Sequence, residues 1–365
     1  MALPLERQGH FLMIECRKHA VSEPTTHPGD RRVICFGELL LRLSPPTDEL
    51  LLQSPALKVH VGGAEANVAC SLALLGHPTT MVSTLPDSVL GRACVGELRR
   101  YGVDMDVQYA SGRMGLYFLT PGAMRRPSDV LYDRAGSAFA TAPAASYDWP
   151  RLLAHAGWLH LSGITLAVSD ASAHAALAAA RAASDAGIPV SFDCNIRERL
   201  WAQRFSEAPA LMREMVAHAN VLFGNDRDIA LMLGHRFSQD QAIDRFAAAA
   251  DAAFTEWPRL RRMASTARVH HSADHQEARG LCASRDGLIT TDAHELKGIV
   301  DRIGTGDAFA AGLLHRLFEG AADRDALAFA MAAFCLKHSV AGDASPFRAG
   351  EVEAFASSRG FDVRR

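Results

Sequence analysis

Apolar and polar positions repeat with two different periods along this chain, and the changes of period mark its elements. Short apolar runs at Val33–Phe36, Thr79–Ser83, Trp158–Leu161, Pro189–Phe192 and Val221–Phe223 have the length and composition of buried strands. Between them, Ala64–Leu75, Val89–Tyr101, Ala171–Ala186, Ala208–His218 and Asp226–Leu233 space their apolar residues three and four apart, which predicts helices. Gly76 and Gly102 close two of these. A strand is expected at Gly287–Thr291, and helices over Asp307–Phe318, Asp323–Ser339 and Glu351–Ser357. Ala247–Ala253 is alanine-rich, and no internal repeat is present.

Buried strands that alternate with helices call for a largely parallel sheet covered on both faces, because parallel neighbours need long crossover connections. The Leu41–Val61 and Leu116–Arg134 regions do not fit that sheet. Lys58–Val61, Leu116–Leu119 and Val130–Arg134 are strand-like, and polar residues alternate with apolar ones as in half-exposed strands. These pieces are expected to form a small projecting β-layer built from two separated insertions.

The 365 residues suit one large α/β domain with an appendage, or two ordinary domains. A formal net charge of −3 offers no nucleic-acid surface. No apolar run reaches the length of a membrane span, and Arg181 and Asp185 interrupt the Ala171–Ala186 helix. Met1–Asp30 mixes charges, Pro and His without periodicity or a signal-like apolar core, and is read as a flexible extension. Seven scattered cysteines without a Cys-x-x-Cys pair point to a reducing, cytoplasmic setting. His270, His271 and His275 lack a carboxylate or cysteine at ligand spacing, which argues against a metal there.

The chemistry concentrates at Asp301–Gly312, DRIGTGDAFAAG. Gly304 and Gly306 allow a tight turn that brings bare N–H groups close to a ligand. The positive end of the following helix points to the same place, which suits a phosphate. A carboxylate is unusual among such groups, so Asp307 has the character of a base aimed at a hydroxyl that attacks phosphate. The same residues also suit a plain strand-to-helix turn with Asp307 as its cap. Gly62-Gly63-Ala64-Glu65-Ala66-Asn67 is a second glycine turn into a helix, and Asn67 can reach back from one turn in; a tight turn alone is the competing reading.

Asp193-Cys194-Asn195-Ile196-Arg197 follows a predicted strand directly. In an extended chain Asp193, Asn195 and Arg197 project to one side, at the strand end where open α/β sheets hold ligands. An inward arginine needs an anion, either a ligand's carboxylate or phosphate or the side chain of Glu198. On the projecting layer Tyr132 and Arg134 share a face, with Tyr117 on the neighbouring strand. These suit closure over a polar substrate, and a solvated surface Arg134 is the alternative.

Together these residues resemble the ribokinase (PfkB-type) carbohydrate kinases, and within them the 2-keto-3-deoxygluconate kinases, over about Val33–Pro346. The general marks are Gly62-Gly63 with Asn67, and Gly304-Thr305-Gly306-Asp307. The narrower ones are Val61–Ala69, Leu159–Thr165, Asp193–Arg197 with Leu200-Trp201, and Tyr132-x-Arg134. The resemblance implies a ribokinase-like three-layer α/β fold over residues 31–365, a mostly parallel sheet flanked by helices. A β-lid from roughly 39–61 and 112–136 would pair with another subunit's lid in a homo-oligomer. The implied activity is ATP-dependent phosphorylation of the terminal hydroxyl of 2-keto-3-deoxygluconate, with Mg²⁺. Asp307 would be the base, and the N–H groups of Gly304, Thr305 and Gly306 the anion hole. Gly62, Gly63, Asn67, Tyr117, Tyr132, Arg134 and Arg197 would hold the sugar acid, Arg197 by its carboxylate, with Asp343 at the substrate end. Asn195 and Asn225 would lie near the ATP phosphates, and Asp228 near the metal.

Two departures from that family bear on the nucleotide end. Its Asn-x-x-Glu pattern reads Asn225-Asp226-Arg227-Asp228 here, one methylene shorter at the acid. Its Lys-x-Gly-x-x-Gly segment is replaced by Met263–Arg268, leaving Thr266 and Arg268 as the nucleotide contacts. A kinase for a neutral ketose or a phosphosugar, and a non-catalytic sugar-acid sensor, are the alternative readings.

Overall fold

A computed structural model of the protein describes residues 32–46 and 49–357, so the extension expected at Met1–Asp30 lies outside the described residues. In chain order the strands are β1 (Arg32–Phe36), β2 (Leu40–Ser44), β3 (Lys58–Gly62), β4 (Thr79–Pro86), β5 (Asp104–Ala110), β6 (Gly115–Thr120) and β7 (Asp129–Asp133). They continue with β8 (Ala156–Ser162), β9 (Val190–Asp193), β10 (Val221–Phe223), β11 (Arg262–His270), β12 (His275–Ser284), β13 (Gly287–Thr290) and β14 (His294–Lys297). The main sheet runs β13-β12-β11-β10-β9-β8-β1-β4-β5, with β14 beside β12. From β5 to β11 every neighbouring pair is parallel. β12, β13 and β14 extend it as an antiparallel edge.

The period-two geometry of a strand divides the core in two. β1 sends Ile34 and Phe36 into one cluster and Val33 and Cys35 into the other. On the first side lie the helices Asp170–Asp185, Ala208–Val216 and Ala242–Glu256, which bury Leu177, Met212 and Phe246. On the second lie Ala64–Leu74, Val89–Arg100, Thr305–Phe318 and Asp323–Lys337, with Leu72, Leu98, Leu313 and Leu327. The six described cysteines are buried and free.

Several elements differ from the sequence pattern. The antiparallel edge was not expected, because the outer half of β11 is exposed and carries Arg268 and His270 where a buried strand would be apolar. Ala242–Glu256 is one helix, of which only the alanine-rich centre stood out. The helix expected from Asp307 starts at Thr305, which places Asp307 third in its first turn.

Segments 39–61 and 112–136 contribute a separate four-stranded sheet, β3-β2-β6-β7. Its register sets Arg42 beside Tyr117 and Tyr117 beside Tyr132. That face turns to the main body, while Val59 and Leu131 on the other face are exposed.

Glu65 ties the first helix to the main sheet. Its buried Oε1 accepts from the Ser162 amide (3.0 Å), the Ser162 hydroxyl (2.7 Å) and the Thr165 hydroxyl (2.7 Å). Gly37 leaves the room required, since a Cβ there would lie 2.2 Å from Glu65 Oε2. Leucine at 65 would strand three buried donors, a cost of roughly 3 kcal/mol. Glu65→Leu is therefore expected to lower the thermal unfolding midpoint by several degrees, read by calorimetry.

Candidate active site

The strand ends and the helix starts of the parallel sheet meet at one cavity of about 490 Å³. At its floor the chain turns through Gly304, whose φ of 74° is left-handed. A Cβ at that position would lie 1.7 Å from the Asp343 carbonyl oxygen, so both conformation and space require glycine. Gly304 is the residue before the helix, with no side-chain cap, and Thr305, Gly306 and Asp307 form the first turn. Asp307 therefore does not cap the helix. Its Oδ2 instead accepts a 2.7 Å bond from Asn67 Nδ2, an asparagine of the second glycine turn. Burial pushes the Asp307 carboxyl up to about 7, against the lowering effects of Asn67 and of the Arg197 charge.

Behind the glycine turn, the guanidinium of Arg42 is buried between two carboxylates. Nη2 donates to Asp301 Oδ2 at 2.8 Å, and Nε lies 3.0 Å from Asp343 Oδ1 as an ion-pair contact. Asp301 also accepts from the amides of Ile303 (2.9 Å) and Gly342 (3.1 Å), which fixes the turn's approach. Asp343 accepts from the Tyr117 hydroxyl at 2.6 Å. Burial and the adjacent Asp343 carboxylate hold that phenol well above its ordinary pKa, so it stays a donor.

The residues singled out from the sequence converge here with one exception. Gly63, Asn67, Tyr117, Tyr132, Arg134 and Asp343 line the cavity on one side. Asn195, Arg197, Asn225, Asp228, Thr266 and Arg268 line it on the other, with Gly304, Thr305, Gly306 and Asp307 between. Gly62 does not line it. Its missing side chain makes space for Asp343, whose Oδ2 would lie 2.2 Å from a Cβ there.

Local geometry alters several expectations. The strand does not continue past Asp193. The Asn195 amide donates to Asp193 Oδ1 at 3.1 Å, and Asn195 turns into left-handed backbone at φ 38°. Arg197 forms no ion pair with Glu198; among the described residues Nη1 bonds only the Ile196 carbonyl, at 3.2 Å, and the residue is exposed to the cavity. Arg134 is not a solvated charge: it is buried, and its Nε donates to Glu38 Oε2 at 2.6 Å. Asn225 and Asp228 form a reciprocal helix cap, Asn225 Oδ1 accepting from the Arg227 (2.8 Å) and Asp228 (3.3 Å) amides, and Asp228 Oδ2 from the Asn225 amide (2.8 Å).

The cavity perturbs two carboxylates already singled out and adds charged groups that pattern reading did not assign. Asp193 keeps some surface open to the cavity, yet its crowded setting and the charge of Asp307 push it up to about 8. Burial pushes Asp228 up to about 6, against the Asn225 amide bond. Arg302, inside the glycine motif itself, lines the same wall. Glu38 and Arg42 had no sequence signal beyond being charges in strand-like surroundings. Among the described residues no three His, Cys, Asp or Glu side chains are grouped to hold a metal by themselves.

The chain and its fold have relatives among known proteins. The description of the pfkB family of carbohydrate kinases matches residues 30–257. The chain belongs to that family. A 2-dehydro-3-deoxygalactonokinase of Haloferax volcanii is 33% identical over 322 residues, covering 88% of this chain and 95% of the relative. A 2-dehydro-3-deoxygluconokinase of Thermoproteus tenax is 27% identical over 321 residues, covering 85% and 89%. The crystal structure of a 2-dehydro-3-deoxygluconokinase from Thermotoga maritima superposes with a TM-score of 0.85 at 35% identity, covering 90% of this chain and all of the other. The protein is thus a sugar kinase with the ribokinase-like α/β fold. The family match ends at residue 257, just before the unusual Met263–Arg268 segment.

The raised pKa of Asp307 has a measurable consequence for the kinase's stability. Between the ordinary 3.8 and about 7, the folded chain holds a proton that the unfolded chain has released. Stability therefore falls as pH rises through that window. Asp307→Asn, with no charge to bury, is expected to melt higher than the wild type at about pH 8.5, and the gain should vanish by about pH 4. Melting curves of both proteins across that range check it.

Proposed function

We propose that this kinase transfers the γ-phosphoryl group of ATP to the terminal hydroxyl of 2-keto-3-deoxygluconate, giving 2-keto-3-deoxy-6-phosphogluconate and ADP. The observation that carries the reading is Arg197, an arginine without a carboxylate partner on the cavity that holds Asp307 and the glycine turn. A neutral sugar has no use for that charge, whereas a keto-acid's carboxylate matches its fork. Arg134 is already balanced by Glu38, and Arg268 and Arg302 are assigned to the nucleotide side, so the carboxylate is given to Arg197.

In this mechanism the Asp307 carboxylate takes the proton of the acceptor hydroxyl. Asn67 holds Oδ2, leaving Oδ1 to face the hydroxyl. The amides of Gly304, Thr305 and Gly306, with the helix end behind them, stabilise charge on the transferring group. Gly63, Tyr117, Tyr132 and Arg134 hold the sugar, and Asp343 fixes the Tyr117 hydroxyl. Asn195, Asn225, Thr266 and Arg268 face the nucleotide. The oxygen-only set at Asp193, Asp228 and the buried, unpartnered Asn195 Oδ1 suits Mg²⁺, which takes few protein ligands besides phosphates and waters. Mg²⁺ bound there would neutralise phosphate charge. The lid sheet excludes water, and its exposed outer face with Val59 and Leu131 supports a homo-oligomer joined through the lid.

The relative named for the galactonate epimer makes 2-keto-3-deoxygalactonate the competing acceptor. ADP release measured with keto-acids, ketoses and phosphosugars decides: turnover on neutral ketoses alone would sink the sugar-acid reading. Asp307→Asn should cut turnover by about a thousandfold or more with ATP binding retained. Wild-type kcat should rise with pH through about 7, as Asp307 loses its proton. Arg197→Leu should raise the keto-acid KM about tenfold or more and leave the ATP KM nearly unchanged, and an unchanged keto-acid KM would remove Arg197 from this role.

A further inference from the structure

Arg302 stands two residues before Gly304 and lines the cavity with Arg268 and Arg197. Among the described residues none of these three arginines has a carboxylate in ion-pair contact. Arg268 packs its guanidinium 4.7 Å from the centre of the Phe334 ring, while much of its side chain stays open to the cavity. That packing and the like charges of Arg302 and Arg197 pull its pKa down to about 10. Clustered cations of this kind are stabilised by a polyanion.

Arg302 is aimed by a chain of bonds that runs from the cavity wall into the core. Its Nη2 donates to Gln276 Oε1 and to His270 Nδ1. Gln276 is fully buried, and its Nε2 donates to His338 Nε2 at 2.8 Å. His338 Nδ1 in turn donates to the Phe334 carbonyl at 2.8 Å. A carbonyl only accepts, so His338 carries its proton on Nδ1 and presents a lone pair at Nε2. Gln276 must then turn its amide nitrogen to His338 and its carbonyl oxygen to Arg302. Each link thus has a single orientation, and Nε and Nη1 of Arg302 remain for the cavity. Burial pushes the His338 imidazole down to about 4, which keeps that ring neutral at ordinary pH. The His338 carbonyl also accepts from the Val300 amide at 2.9 Å, so the same residue holds the backbone entering the motif.

The geometry points to Arg302 as a phosphate-holding residue for the nucleotide donor, with Gln276 and His338 as positioning residues that act through it. This rests on the reading of the protein as an ATP-dependent kinase. The nucleotide is favoured over the sugar because Arg302's side-chain hydrogen bonds go to β11 and β12, and none goes to the lid strands that carry Tyr117 and Tyr132. The departure at Met263–Arg268 then has a counterpart: Arg268 within it and Arg302, bonded to His270 at the end of the same strand, bring charge to that wall.

Calorimetric titration of ADP and of adenosine into the whole protein tests this without regard to the acceptor. Arg302→Gln should weaken ADP about ten- to a hundredfold and shift adenosine by less than about twofold. Arg302→Lys should recover part of the loss. Gln276→Leu should weaken ADP less than Arg302→Gln does, and the double variant should bind no more weakly than Arg302→Gln alone. Unchanged ADP affinity in Arg302→Gln, or equal losses for ADP and adenosine, overturns the phosphate role; additive losses in the double variant overturn the positioning chain. Wild-type protein that binds no ADP overturns the nucleotide reading and this proposal together. ADP binding without sugar-acid turnover overturns only the acceptor assignment.

Discussion

The buried guanidinium of Arg42 joins three segments that are far apart in sequence. It comes from the lid strand β2, it bonds Asp301 at the approach to the glycine turn, and it contacts Asp343 on the last loop. A charge taken this far from water is tolerable only when paired, and removal of one partner from such a cluster costs about 3–5 kcal/mol. The cluster therefore works less as a source of stability than as a constraint on position. Asp301 shapes the turn, Asp343 fixes Tyr117, and the lid sheet is held in register with the glycine turn. Gly62 and Gly304 belong to the same constraint, because side chains there would collide with Asp343.

On the other side of that cluster the electrostatics are left unbalanced. Asp193, Asp228 and Asp307 are pushed upward by burial, and among the described residues Arg197, Arg268 and Arg302 have no carboxylate close enough to pair. Raised carboxylates and unpaired arginines on one cavity are the arrangement that the proposed nucleotide, sugar acid and metal ion would complete. The contrast with Arg42 and Arg134, each in contact with a carboxylate, separates charges answered within the fold from charges left open to the cavity.

Much of this was readable beforehand where a residue type has a local reason. Glycine followed by a helix pattern marked both turns, and the alternation of apolar runs with helical spacing marked the parallel sheet. Residues that depend on distant partners were not readable. Arg42 and Glu38 look like ordinary strand charges until β2, β6 and the last loop come together. The Asn195 turn depends on an Asp193 side chain that folds back onto the chain, which a strand pattern does not show. The antiparallel edge was hidden because the half of β11 that reaches the cavity carries arginine and histidine.

The sequence by itself determined the layered α/β architecture, the two glycine turns and the identity of the carboxylate at 307, because periodicity and backbone freedom are local properties. Only the tertiary structure decided that Asp307 is held by Asn67 rather than capping its helix. It also decided that Gly62 serves Asp343 rather than the cavity, and which arginines are left unpaired. Charge pairing and desolvation depend on what lies within a few ångströms, and here those neighbours are up to 259 residues apart in the chain.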